Sequence, residues 1–398
     1  MTTYSGHIRK RPTKKSENRW QIVIELGYDP SGKRQRIFKT VEGTKKDASA
    51  AMTEMLNELN KGTYIEPSKM TLTQYLRDWL QTYAVNLSPT TVAGYTVNIE
   101  NHIIPYLGHV LMQQIQSIQV QKMYEYFLRK PLRNDKIGLS PRSIKYIHTT
   151  LHEALSHAVR MQIIVRNVTD FVTTPKQKKY RSTAYEEEQA LELLEISKGT
   201  DMEAPITLAL GLGLRRGELL GLKWHDIDFK NKQVRIINNL IYANKKLEFK
   251  DPKSESGIRT LEMPEGMIAI LKRHQLKQKE YRLFYGSEYQ ENDLVCCYED
   301  GQPYIPGTFS TKFTRFLSRN NLPKIRLHDL RHTNASLMLQ YGVPAKVASQ
   351  RLGHSTIGIT MDLYSHVIGD MQKDAASKIN IGIFQKSVIE KVAKSDCM

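Results

Sequence analysis

Cysteine is scarce in this chain: three in 398 residues, two of them adjacent (Cys296, Cys297) and one near the end at Cys397. That spacing builds neither a disulfide framework nor a CxxC metal site, and it suits a reducing compartment. Long apolar runs are missing too. Residues 1–15, MTTYSGHIRKRPTKK, hold no greasy core for export, and the longest such run, 204–214, is too short to span a bilayer. Membrane and exported classes are set aside, and a cytoplasmic protein is expected. Acidic residues are in deficit, 41 Asp and Glu against 58 Lys and Arg, for a net charge of +17. Such an excess of cations favours a polyanionic partner, nucleic acid before a membrane surface. The remainder is ordinary: 40% hydrophobic and 25% charged residues suit a globular chain, and the length suits two or three domains.

The cations crowd first into residues 1–46, among them Arg9, Lys10, Arg11, Lys14, Arg34 and Arg36. Two alternating segments, 20–26 and 34–40, flank the turn signal Asp29-Pro30-Ser31-Gly32 and predict a hairpin. Residues 6–9 supply a third strand, and apolar spacing predicts a helix from 46 to about 62. A first domain over 1–66, a small three-stranded sheet plus a helix, would turn those six cations toward a DNA groove. The plainer reading is a charged face that keeps a tiny domain soluble, but solubility does not need so lopsided a sign. Residues 64–70 read as a linker. Helices are then expected at 72–83, 90–102, 118–128 and 141–160, with Pro105 and Gly108 breaking the second. Ser88-Pro89 and Ser140-Pro141 each put a capping hydroxyl before a proline at the first helical position. The product is a helical bundle over 71–174 without an acid/base cluster, suited to clamping. Residues 176–181, KQKKYR, read as a basic tether whose Lys178 and Lys179 could follow a phosphate backbone.

From 182 to 398 a mainly α domain with a small antiparallel sheet is expected, which makes the whole chain multidomain α+β. Helical stretches fall at 185–197, 267–278, 309–320, 327–339 and 345–352, and the segment 205–222 carries Arg215 and Glu218 three residues apart. Strand-like pieces fall at 233–237, 246–249 and 257–263, the last two joined by a hairpin turn that contains Lys253. His328 and Arg331, at i and i+3 on a helix, can address one ligand. Gly353 reads as the glycine that ends a helix, with His354 next, and a short helix at 360–367 carries Tyr364. Alone, a His-x-x-Arg spacing is a helix with a solvated Arg and an edge-packed His; the company of the other residues carries the case.

Five stretches stand in a telling order: GLRRGE with Arg215, PKSESGIRTLEMP with Lys253, HDLRHT from His328, LGH with His354 and DLYSH with Tyr364. Together they resemble the tyrosine recombinase (phage integrase) family, over essentially the whole chain. The resemblance implies an arm-type DNA-binding domain at 1–66, a core-site domain at 71–174 and a catalytic domain at 182–398. It further implies strand cleavage through a 3′-phosphotyrosine, integration and excision of a mobile element by way of a Holliday junction, and a homotetramer on double-stranded DNA. An excisionase and a DNA-bending host protein are accessory partners it brings in; no cofactor is expected. The chemistry is coherent with these residue types. A phenol of pKa roughly 10 is a weak nucleophile near neutrality, so Arg215 and Arg331 would grip the phosphate as paired forks. His328 would take or relay the tyrosine proton, His354 would donate a hydrogen bond, and Lys253 would protonate the departing sugar oxygen. Glu218 would orient the Arg215 region or serve as a surface partner. His328 and His332 have a zinc-like i, i+4 spacing, but Arg331 between them would repel a cation, so no metal is expected. The apolar positions Ile379, Ile381, Ile383 and Val388 suit a tail that docks on a neighbouring subunit. Two other readings stay open: a host chromosome-resolution recombinase of the same chemistry, and a non-catalytic DNA-binding regulator.

Overall fold

The computed structural model describes residues 4–12, 18–131, 137–177, 184–250, 257–354, 356–358, 361, 376–377 and 379–385. They form two compact units, Met1–Lys178 and Lys179–Met398.

In the first unit, β1 (Ser5–Lys10), β2 (Arg19–Tyr28) and β3 (Arg34–Glu42) make an antiparallel sheet in the order β1-β2-β3. Side chains alternate across a strand, so Ile8, Ile22, Ile24, Ile37 and Val41 gather on one face. Helix α1 (Lys45–Asn60) covers that face with Met55. Its start is fixed by a capping box between Thr44 and Asp47, the Thr44 N–H donating to the carboxylate at 2.8 Å. The hairpin turn is held by Asp29, whose Oδ1 accepts the Ser31 and Lys33 N–H groups, both at 2.9 Å.

The same unit contains a helical bundle with its own core, Leu72, Leu76, Trp79, Ile99, Ile103, Met123, Tyr124, Ile144 and Leu151 among others. Its main helices are α2 (Leu72–Tyr83), α3 (Pro89–Asn98), α4 (Ile104–Leu107), α5 (Ser117–Arg129) and α6 (Pro141–Arg160). Ser88 and Ser140 cap α3 and α6 as the Ser-Pro pairs predict. Pro105 does not break its helix. A π turn, Ile99–Ile103, carries α3 directly into α4, with the Ile104 N–H reaching Ile99 O five residues back. That wider turn gives the proline ring the room an α turn denies it, and the chain bends away only at Gly108.

The second unit is mainly helical: α7 (Glu187–Ser197), α8 (Glu203–Leu212), α9 (Arg216–Gly221), α10 (Glu265–Tyr285), α11 (Pro306–Arg319), α12 (Asp329–Gln340) and α13 (Ala345–Leu352). Its core runs from Leu193 and Ile206 through Leu219, Leu271, Phe309 and Phe313 to Leu330. The expected pairing of 246–249 with 257–263 is not what forms. β7 (Lys246–Lys250) pairs with β6 (Asn239–Ala243), a strand the sequence reading passed over. β8 (Arg259–Glu262) instead pairs antiparallel with β5 (Gln233–Ile236), beside the short β4 (Ile227–Asp228). The reason lies in the apolar content. Leu240 and Ala243 are buried and Leu247 packs on the core, so the two-residue turn Asn244-Lys245, both at positive φ, closes a hairpin of its own. Within 205–222 the chain breaks at Gly213, which takes φ +62° as the glycine ending α8. No described helix is long and apolar enough to cross a membrane.

Candidate functional site

Four of the sequence candidates converge at the ends of helices. Arg215 is the residue capping α9, set by the Gly213 turn. A side chain at Gly213 would run into Leu352 and Asn334, so glycine alone lets the end of α8 approach α12 and α13. Arg331 lies in the first turn of α12, and His328 is that helix's N-cap. His354 follows Gly353, whose φ of +65° closes α13.

One stretch of backbone gathers the cations. Three consecutive carbonyls at the end of α13 each accept from a different guanidinium: Arg351 O from Arg259 Nε at 2.7 Å, Leu352 O from Arg331 Nη2 at 2.6 Å, and Gly353 O from Arg215 Nη2. The last carbonyls of a helix lack intrahelical partners and carry partial negative charge, which suits them to Arg donors. Arg331 also donates Nη1 to Gly213 O at 2.7 Å and is 3% exposed. Two of its five N–H groups are thereby engaged, and the other three have no hydrogen-bond partner among the described residues. Glu218 is the counter-charge. Its carboxylate accepts the Arg215 N–H at 3.0 Å, Arg215 Nη1 at 2.7 Å and Arg259 Nη2 at 2.9 Å. With its side chain 3% exposed, Glu218 is buried against Arg215 and Arg259 and is not a surface partner. Burial alone would raise its carboxyl, but the Arg259 and Arg215 hydrogen bonds outweigh burial and hold it below the usual range.

Three guanidiniums against one buried carboxylate leave two positive charges uncompensated by these partners. The imidazoles respond to that field. Desolvation first, then Arg331, Arg215 and the other histidines, push His354 down to about 4. His328 also falls to about 4, through desolvation first and then the nearby His332 and Arg331. Its ring stands edge-on to His332, centroids 5.0 Å apart. Burial, with Arg215 close by, lowers the Arg331 guanidinium to about 9, so it keeps its charge near neutrality. Beside His328, Asp329 is fully buried and bonded by Arg326 through Nη2 at 2.7 Å, which fixes the start of α12. A site with excess fixed positive charge, neutral imidazoles and free guanidinium N–H groups is built to take a phosphate-like anion.

Lys253 and Tyr364 lie outside the described residues, as do Lys14, Lys178 and Lys179. On the sheet of the first unit, register puts Arg9 with Gln21 and Arg36 with Glu25 on the face away from α1, with the half-exposed Phe38 between. Arg9 and Arg11 both donate to Gln21 Oε1, at 2.7 and 3.3 Å. Lys10, opposite Trp20, falls on the other face by alternation, and Arg34 sits at the hairpin end against Tyr28. Arg259 was missed as a site residue, although a signal existed: it shares a strand face with the buried Leu261, and an inward Arg requires a carboxylate. Among the described residues no group of three or more His, Cys, Asp or Glu is placed to hold a metal ion.

Residues 181–369 match the model of the phage integrase family, and residues 71–128 match the SAM-like N-terminal domain of phage integrases. A XerC-like tyrosine recombinase of Caldanaerobacter subterraneus subsp. tengcongensis is 30% identical over 388 residues, covering 92% of this chain and 97% of that one. The chain belongs to the phage integrase family of tyrosine recombinases. It is a DNA-cleaving and rejoining enzyme of the integrase type. The ICEBs1 integrase of Bacillus subtilis is 26% identical over 371 residues, covering 92% of the recombinase and 98% of its own chain. In fold, the recombinase is similar to the Tn1549 transposon integrase in complex with circular intermediate DNA, with a TM-score of 0.65 at 20% identity over 78% of this chain and all of that one. A lambda integrase dimer bound to a core site gives 0.56 at 18% identity, over 87% and 92%.

Proposed function

We propose that this recombinase integrates and excises a mobile element, with residues 1–66 reading arm sites, 71–174 gripping core sites and 182–398 doing the chemistry. Arg215 and Arg331 hold the nonbridging oxygens of the scissile phosphate, and neutral His354 donates a hydrogen bond to it. The Tyr364 hydroxyl oxygen attacks phosphorus while His328 takes its proton. The bond from phosphorus to the 5′-oxygen breaks, and Lys253 gives that oxygen a proton. The products are a 3′-phosphotyrosine and a free 5′-hydroxyl. Because one phosphodiester replaces another, a 5′-hydroxyl from a second duplex reverses the step without a nucleotide cofactor. Glu218 orients Arg215.

The observation that carries this reading is the gathering of three guanidiniums on the carbonyls 351–353 around one carboxylate, which leaves net positive charge and open N–H groups where a phosphate would sit. Such preorganised donors contribute about 3 kcal/mol each where charge develops in a transition state. The basic outer face of the N-terminal sheet favours an integrase over a host chromosome-resolution recombinase, since core-site chemistry alone does not need it. The Tn1549 and lambda relatives were solved on DNA, one lambda form as a tetramer on a Holliday junction. By analogy the working form here is a homotetramer on double-stranded DNA in the bacterial cytoplasm, the apolar tail docking on a neighbouring subunit, with an excisionase and a DNA-bending host protein steering direction. The test is a nicked duplex carrying the core site read from the element's junctions. Full-length protein should form an SDS-resistant adduct in the presence of a chelator, and Tyr364→Phe should form none; an adduct that persists in Tyr364→Phe overturns the assignment.

A further inference from the structure

Arg215 and Arg331 each use only their two terminal nitrogens among the described residues, but Arg259 uses all three of its nitrogens. Its Nε donates to Arg351 O at 2.7 Å, its Nη1 to Gly257 O at 3.1 Å and its Nη2 to Glu218 at 2.9 Å, and its side chain is 7% exposed. A guanidinium engaged on all three nitrogens has no paired edge left to fork onto a phosphate. What it joins is specific. Glu218 orients Arg215, and Arg351 ends the helix that delivers His354. Gly257 is buried and follows directly on residues 251–256, which carry Lys253 in the sequence.

We propose that Arg259 is a positioning residue that locks the chain segment bearing the leaving-group acid to the phosphate grip. This rests on the reading that Lys253 is that acid. Four chain steps separate Lys253 from Gly257, a reach of at most about 14 Å. Pinning Gly257 to Glu218 and to the end of α13 therefore limits how far the Lys253 backbone can stray from Arg215 and His354. Without the fork, the strand pairing nearest the C-terminal end of the segment is β5–β8, which begins at Arg259 itself, while β6–β7 pairing reaches Lys250 at the other end. The planar fork matters, since a lysine at 259 would keep a positive charge beside Glu218 yet lacks the three separate nitrogens that bridge these acceptors.

The test compares two nicked core-site duplexes in single-turnover adduct formation by the full chain. One has the ordinary phosphate. The other has sulfur in place of the 5′-bridging oxygen, so that a thiolate leaves and no proton from an acid is needed. Arg259→Lys and Arg259→Gln should slow adduct formation roughly 100-fold on oxygen. On sulfur both should come within about 5-fold of the parent, matching the pattern of Lys253→Ala. An equal loss on both substrates, accompanied by a lower Tm, assigns Arg259 to the fold alone and overturns the proposal, as does no loss on oxygen. If Lys253→Ala is rescued by sulfur and the Arg259 variants are not, the proposal fails while the acid assignment stands. If Lys253→Ala itself stays slow on sulfur, the acid assignment falls and the proposal with it.

Discussion

Replacing Arg331 with lysine separates its two loads, on the fold and on the reaction. Arg331 ties the turn after α8 to the end of α13 through bonds of 2.7 and 2.6 Å to Gly213 O and Leu352 O. A lysine Nζ stands about where Arg has Cζ, one bond short of either oxygen. It can shift to one carbonyl and leaves the other unmade. A charge-assisted bond is worth about 1.5–3 kcal/mol, and a buried carbonyl left without its donor adds to the cost. The sum is about 3 kcal/mol, which in a unit of this size lowers Tm by roughly 6–12 °C. Thermal unfolding of Arg331→Lys, without DNA and at fixed protein concentration, measures this. Arg215→Lys is the control: its parent side chain is 38% exposed and takes one carbonyl, so its Tm should move less. Both variants should form adduct at least about 100-fold more slowly, from the loss of fork geometry at the phosphate. An Arg331→Lys protein that melts within about 1 °C of the parent would refute the reasoning that these two bonds hold the helix ends together.

Three further outcomes follow from the same geometry. Glu218→Gln keeps the shape but turns a donor toward a guanidinium and leaves three cations without a counter-charge; it should cost about 3 kcal/mol of stability and slow cleavage roughly 100-fold, and parent-like values for both would remove Glu218 from its orienting role. His328 and His354 are pushed down to about 4 in the folded chain, against roughly 6.5 when unfolded. The unfolded chain then binds more protons between those values, so this stability is present above pH 6.5 or so and is lost as pH falls toward 4; melts across that range check it. A bound phosphate stabilises the imidazolium forms, so the acid limb of kcat should lie at higher pH than that of kcat/KM, and the reverse order would contradict the placement. A methyl at Gly217 would meet Asn239 Oδ1 and Leu240 O, so Gly217→Ala should push β6 off α9 and cost about 1–3 kcal/mol by thermal unfolding.

Much of the fold was legible because it rests on local rules. The Ser88-Pro89 and Ser140-Pro141 starts, the Asp29 turn and the glycine end at 353 follow from capping and backbone freedom, which a short window of sequence displays, whereas the break at Gly213 was passed over inside an apolar run. Pairing across distance was less legible. β6 is an ordinary run of Asn, Leu, Ile, Tyr and Ala, and nothing local says that β7 joins it while β8 crosses to β5. Pro105 misled because a π turn is not written in residue preferences. In the site, Arg215, His328, Arg331 and His354 stand out by motif, and the structure brings them together. Arg259 does not stand out, since its partners Glu218 and Arg351 lie 41 and 92 residues away. The run of three carbonyls that collects the guanidiniums is backbone and leaves no trace in the sequence.

The most direct measurement is the mass of the peptide left on DNA. Adduct trapped on the nicked core-site duplex is digested with protease and nuclease, and the cross-linked fragment is sequenced by mass spectrometry. The account requires Tyr364 joined to a 3′-phosphate, with a free 5′-hydroxyl on the released strand. A linkage through any other side chain, or to a 5′-phosphate, would contradict it.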